Sequence, residues 1–406
     1  MSQPAQTLEP VQTPPPHGPS SPSGRAAVLP AERWPLPDVL RGGAILGILF
    51  VNMQDFAGYD EWTQTGPDRA AQVFIDVLMN GKFVSIFALL FGAGMLMILD
   101  RAPSRRVGAF RLLRRLLALL ALGTLHGVLL WHGDVIALYA LTGLLLLVPL
   151  LLRPPAWLLA LAGTGLGLWW LALRVQDALV LGAGSTLRWS YALASAPSGT
   201  YSALVGNRAG RLPTDLLADW SYNALWLLAL FLLGMAAQRA GLLARPARFR
   251  RLLRGLLLGG AVLGLPLSCL LAWLNTQPTE SAGLWEVPVR MSSGLLLGVA
   301  YAAGAALLIA GGRPGVLRHF AAPGRLALSN YLGQSLIMTT VFYPYGLNLY
   351  RHVGALTCLL LALALTTLQL LVAGWWLRRA SQGPMEWLLR RVVYGRGARP
   401  VQPRSP

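Results

Sequence analysis

Acid–base chemistry near neutral pH needs a group that can take and return a proton, and an imidazole beside a carboxylate is the usual pairing. The stretch LHGVLLWHGDVIALY contains such a pair: His126, and Asp134 eight residues later, across a turn formed by Trp131, His132 and Gly133, with Tyr139 beyond. The reversal lets the two side chains face each other. In that arrangement His126 is the candidate base and Asp134 the group that fixes its tautomer. The plain alternatives are a hydrogen-bonded core histidine at 126 and a solvated turn residue at 132.

Two further clusters carry groups that could bind a substrate. The first is LRGGAILGILFVNMQDF, with Arg41 at one end and Asn52, Gln54 and Asp55 near the other. The second is GRLALSNYLGQSLIMTTVFYPYGL, where Arg325 precedes Ser329, Asn330, Tyr331, Gln334 and Ser335. Asn330 and Gln334 are four apart and share a helix face. The arginines suit phosphate or carboxylate recognition, and the amides suit an acceptor or an oxyanion. Interfacial anchoring explains the arginines equally well, and interhelical hydrogen bonding explains the amides. Glu386, in GPMEWLLRRVV, is a weaker candidate on a short amphipathic stretch expected to lie on the membrane surface.

These side chains sit in a chain that is mostly apolar. Of 406 residues, 55% are hydrophobic and 12% charged, and the mean hydropathy is +0.53. A soluble domain carries about twice that charged fraction. The +18 net charge does not imply nucleic acid, because the arginines punctuate long apolar runs and Lys82 is the single lysine. The expected fold is therefore all-α: a polytopic transmembrane bundle of about ten spans, starting near residues 39, 82, 112, 134, 156, 222, 253, 291, 326 and 354. The segment Gln72–Met79 is too short and charged to cross and is expected at the interface.

With the N-terminus placed inside and loops alternating, 26 of the 34 basic residues fall on the cytoplasmic side and 8 on the other. The acids divide 5 and 11, giving +21 inside and −3 outside. That asymmetry predicts an N-in/C-in topology. Residues 1–37, with ten prolines and no signal-peptide h-region, read as a disordered cytoplasmic tail, and the first span as an uncleaved anchor. Residues 38–221 then form an N-terminal membrane region with an outer loop at 174–220, residues 222–395 a C-terminal membrane domain, and 396–406 a second disordered tail. Gly92 and other paired glycines are expected to permit close helix packing. Cys269 and Cys358, both in apolar runs, are expected to be inert core thiols, and two cysteines exclude a disulfide framework or a cysteine-based zinc site. No P-loop, dinucleotide fingerprint, nucleophile elbow or HExxH motif is present, and no metal ligand set is expected.

Five blocks in order, LRGGAILGILFVNM, KFVSIFALLFGAG, LHG…WHGDVI, GRLALSNYLGQSLI and GPMEWLLR, resemble the YeiB-like family of bacterial inner-membrane proteins, whose C-terminal half is domain of unknown function 418. The opening block, LRG with Asn52 near the end of its span, is also similar to membrane acyltransferases that include the heparan glucosaminide acetyltransferases. That likeness implies transfer of an acyl group from a cytoplasmic donor such as acyl-CoA to a glycan or lipid acceptor across the membrane, with no other cofactor. Those enzymes carry a histidine soon after the first span. Here Gly58–Lys82 has none, and His126 is the natural substitute. His126 and Asp134 would be catalytic, whereas Arg41, Asn52, Arg325, Asn330, Tyr331 and Gln334 would bind substrate. Passage of a small molecule or lipid through a transporter or flippase is the alternative, and a non-catalytic scaffold the second. No nucleic acid is expected as partner, and the oligomeric state is left open.

Overall fold

Pro37 stands in the first turn of the first helix, where a residue without an N–H costs no helical hydrogen bond. From there a computed structural model, which describes residues 36–181 and 197–395, runs almost entirely through helices. They are α1 (Leu36–Ala57), α2 (Gly66–Leu78), α3 (Lys82–Asp100), α4 (Arg105–Leu129), α5 (Ile136–Leu151), α6 (Ala156–Leu181) and α7 (Tyr201–Arg239). There follow α8 (Arg250–Leu274), α9 (Glu280–Ala310), α10 (Ala321–Arg325), α11 (Ala327–Phe342), α12 (Ala355–Leu377) and α13 (Pro384–Tyr394).

Among the described residues, eight helical segments are long and apolar enough to cross a membrane. Large apolar side chains stand exposed on α6, α8 and α12, among them Leu161, Trp169, Leu258, Val262, Leu363 and Leu371. Water would penalise that surface and lipid would not. This is a multi-pass membrane protein. The expected spans near 134 and 326 are shorter than a full crossing: α5 and α11 have 16 residues each, or about 24 Å at 1.5 Å per residue. The hydrocarbon core is about 30 Å thick.

Two other expectations change. The loop drawn at 174–220 is helical over 174–181 and 201–220, and α7 begins at Tyr201 rather than near 222. The apolar-run criterion missed this because Arg208, Arg211, Asp215 and Asp219 interrupt the first half of α7. Residues 72–78 belong to α2, which buries Ala71, Gln72, Ile75 and Asp76 and leaves Val73 and Phe74 exposed, an arrangement compatible with the interfacial reading. Cys269 is exposed on α8, while Cys358 is buried as expected. The proline-rich 1–35 and the tail 396–406 lie outside the described residues.

Glycines set the closest helix crossings. Gly92 of α3 leaves no room for a Cβ against the Phe231 backbone of α7, and Gly234 of α7 none against Leu89 of α3. The same reciprocity holds between α1 and α10: Gly42 abuts the Phe320 backbone, and Gly324 abuts that of Asp38. Since Gly42 follows Arg41 and Gly324 precedes Arg325, this second crossing brings both arginines to one place.

Candidate functional site

The turn between α4 and α5 is short, and it folds Asp134 back onto the last turns of α4. His126 Nδ1 lies 2.9 Å from Asp134 Oδ1, with both side chains buried. A carboxylate accepts, so the Nδ1–H is the donor, and in the neutral imidazole this tautomer leaves the lone pair on Nε2. Asp134 Oδ2 accepts the Ala137 N–H at 2.7 Å, so the same carboxylate caps α5. Gly123 makes the pair possible, since a Cβ there would strike Asp134 Oδ2 and the Ala137 backbone. His126 Nε2 and Trp131 Nε1 are buried without a hydrogen-bond partner among the described residues.

The Tyr331 ring from α11 lies 5.1 Å from the imidazole, and the Trp131 ring 6.4 Å from it. Tyr331 also forms part of the wall of a cavity of about 650 Å³ bounded by α1, α3, α4, α5, α11 and α13. Arg111 lines one end of this cavity, and Val135 and Ile136, beside Asp134, line the other. Fifteen residues of α4 separate Arg111 from His126, or about 22 Å at the helical rise. Between the ends the wall is apolar, with Ile45, Phe87, Leu90, Phe91 and Leu119. The arginine end gathers Arg41, Arg101, Arg111, Arg115, Arg325 and Arg390. This is the shape and polarity of a site for an anionic head on a long apolar body.

The residues singled out in the sequence divide accordingly. Arg41, Arg325 and Tyr331 line the cavity, with Arg41 also paired to Asp38 at 2.9 Å and Arg325 donating to the Ser381 carbonyl at 2.9 Å. His126 and Asp134 stand behind its Tyr331–Val135 wall. Gln334 and Asn330 are engaged in helix packing. Gln334 Nε2 donates to Gln369 Oε1 at 2.8 Å and to the Ile45 carbonyl at 3.3 Å. Asn330 Nδ2 donates to the Pro323 carbonyl, and its own carbonyl accepts from Gln369. Asn52 lies one turn beyond the cavity-lining Ile48 and is not itself in the wall. His132 faces Asp55 at 3.5 Å. Burial alone would lower the His132 pKa, but the Asp55 carboxylate raises it above the ordinary histidine value.

Composition alone did not single out two further groups. Arg101, Arg111, Arg115 and Arg390 counted only as cytoplasmic charge. The other is a buried polar network around Asp76, whose carboxylate accepts from Gln72 Nε2 at 3.1 Å and Asn80 Nδ2 at 3.0 Å. Lys82 Nζ, wholly buried, donates to the Asp76 carbonyl at 2.6 Å. The signal was available, because Lys82 is the lone lysine and opens an apolar block.

The family model described as "Protein of unknown function (DUF418)" matches residues 237–396. "Uncharacterized protein YeiB" of Escherichia coli (strain K12) is 34% identical over 382 residues, covering 88% of this chain and 95% of the relative. The chain belongs to the YeiB-like DUF418 family. "Uncharacterized protein YxaH" of Bacillus subtilis (strain 168) is 30% identical over 398 residues, covering 89% of this chain and 94% of its own. The "Uncharacterized 39.9 kDa protein in amylase 3'region" of Bacillus acidopullulyticus is 26% identical over 372 residues. The DUF418 segment contributes Arg325, Tyr331, Glu386 and Arg390 to the cavity, while Arg41, Arg111 and the His126–Asp134 pair come from the preceding half.

Proposed function

We propose that this protein is an acyltransferase-like enzyme of the bacterial inner membrane, with both termini cytoplasmic, that moves an acyl group from a cytoplasmic donor such as acyl-CoA to an envelope acceptor. The observation that carries this reading is the cavity: arginines at one end, apolar walls about 20 Å long, and Tyr331 at the far end against the His126–Asp134 pair. In this reading His126 Nε2 removes a proton from an acceptor hydroxyl or amine, which attacks the thioester carbonyl. The thiolate leaves and recovers that proton from the imidazolium, which Asp134 stabilises. The Trp131 N–H is available to the acceptor or to the developing oxyanion.

The test is acyl-CoA turnover by purified protein in proteoliposomes, read as free thiol. Release that requires His126 supports the enzyme. Full turnover by His126→Ala sinks the assignment. Movement of a labelled amphiphile across the bilayer without chemical change supports the transporter or flippase reading, for which the length of the cavity is the argument.

A further inference from the structure

The cavity holds more positive charge than one donor carboxylate or one phosphate oxygen would need. Arg41 pairs with Asp38, but among the described residues no carboxylate lies within 4 Å of Arg101, Arg111, Arg115 or Arg325. The acid in the wall, Glu386, is already committed. Its Oε1 accepts the Leu328 and Ser329 N–H groups at 2.8 and 3.1 Å, and its Oε2 accepts the Ser329 hydroxyl at 2.6 Å. Those bonds fix the start of α13 to the start of α11. The far end of α13 is held differently. The Arg111 guanidinium of α4 and the Arg390 guanidinium of α13 approach the same Tyr394 ring, at 5.1 and 5.6 Å from its centroid. Each guanidinium is attracted to the ring, and the shared tyrosine brings two like charges from different helices into one neighbourhood, where an anion between the helices would be attracted to both.

We propose that Arg111, Arg115 and Arg390 form a clamp for the phosphate groups of a phosphorylated amphiphile, and that its binding pins the C-terminal half of α13 onto α4. The inference rests on the reading of this cavity as the donor site and deepens it by naming the headgroup chemistry and the element that closes over it. Guanidiniums arriving from two helices match a group with several charged oxygens in different directions, which a phosphate or pyrophosphate offers and a single carboxylate does not. The pantetheine arm of an acyl-CoA, or the acyl chain of a phospholipid, would extend past Leu90 and Phe91 toward Tyr331. Such a ligand comes either from solution, as an acyl-CoA, or from the bilayer, as an anionic phospholipid.

The experiment uses the full chain in phosphatidylcholine nanodiscs, with palmitoyl-CoA, phosphatidate or palmitate as probes, and reads affinity and amide exchange of residues 384–394. The expected result is at least tenfold slower exchange of that segment with a phosphorylated probe and little change with palmitate. Arg111→Gln and Arg390→Gln should each weaken binding tenfold or more, and the double variant little beyond either single one, because they share one group. Arg390→Lys keeps the charge and should bind with intermediate affinity. Protection by phosphatidate but not palmitoyl-CoA upholds the clamp and removes acyl-CoA as donor. His126-dependent turnover of palmitoyl-CoA, with both glutamine variants within twofold of the parent, upholds the donor reading and overturns the clamp. Palmitate binding as tightly as the phosphorylated probes overturns the phosphate assignment, and binding of none overturns both.

Discussion

The Tyr331 ring stands 5.1 Å from the His126 imidazole, and the same residue forms part of the wall of the arginine-ended cavity. Tyr331 thus belongs both to the cavity wall and to the surroundings of a buried histidine whose Nε2 has no partner among the described residues. Among the described residues its hydroxyl receives a long 3.5 Å contact from the Val135 N–H, and it is the ring that packs toward the imidazole.

Truncating that ring should open the cavity onto the imidazole. Tyr331→Ala is expected to raise the rate at which diethyl pyrocarbonate modifies His126 in membranes by tenfold or more, whereas Tyr331→Phe leaves it near the parent rate. The alanine variant should also lose about 3–5 kcal/mol of stability, the usual cost of emptying a buried aromatic site. An unchanged modification rate in a folded Tyr331→Ala protein would show that another group shields the imidazole.

The His126–Asp134 pair makes a sharper energetic prediction. Removing one partner of a buried hydrogen bond costs about 1–3 kcal/mol, because the other is left unsatisfied. Asp134→Ala also removes the cap on Ala137 N, worth about 1 kcal/mol, so it should destabilise more than His126→Ala. The double variant should fall well short of the sum of the two. Thermal unfolding in detergent measures all three, and strict additivity would mean the two side chains are not coupled.

Close approach at Gly42 and Gly324 is the device that brings Arg41 and Arg325 to one cavity end. A Cβ at either position meets backbone, which cannot rotate away. Each alanine variant should cost about 1–3 kcal/mol through overpacking and lower the affinity for an anionic probe; Gly42, which does not line the cavity, is the cleaner test, since Gly324 forms part of its wall. A variant that loses stability with unchanged affinity would separate the crossing from the site.

Legibility in the sequence followed the physics of each signal. Apolar runs long enough to cross a bilayer marked the spans, and the same criterion could not find the first half of α7, where charges interrupt the run, or the shortness of α5 and α11. The His126–Asp134 contact was readable because its partners are eight residues apart across one turn. Asn330 and Gln334 read as amides that need partners, but only folding shows which: the Gln334 amide donates to Gln369, a helix away, and the Asn330 amide to the Pro323 carbonyl, so both are engaged in helix packing. The cavity arginines were hidden by their number. In a chain with arginines at so many helix ends, nothing local distinguishes Arg111 or Arg390 from a topogenic charge.

The Lys82 network should prove structural and internally coupled. Lys82→Met leaves the Asp76 carbonyl without its donor, and Asp76→Asn leaves Gln72 and Asn80 donating to a neutral amide. Each is expected to cost about 1–3 kcal/mol, with the pair measurably non-additive in a melting series. Neither should alter probe affinity, because neither residue lines the arginine-ended cavity. Loss of affinity without loss of stability in Lys82→Met would contradict that separation.

The His132–Asp55 contact gives a prediction in pH. A histidine whose folded pKa is raised above its unfolded value, about 6.5, contributes stability that is fully present below that pH. The contribution is then lost as the pH climbs through the folded value. Asp55 lies 3.5 Å from the His132 ring, and the folded pKa is raised. The parent should therefore exceed His132→Gln in melting temperature most clearly near about pH 6, and the difference should shrink as the pH is taken toward about 8.5, where the imidazole is neutral in both states. Asp55→Asn should flatten the same profile from the other side of the contact. A melting difference that is constant across this range would mean that the pair is held by neutral hydrogen bonding and carries no charge.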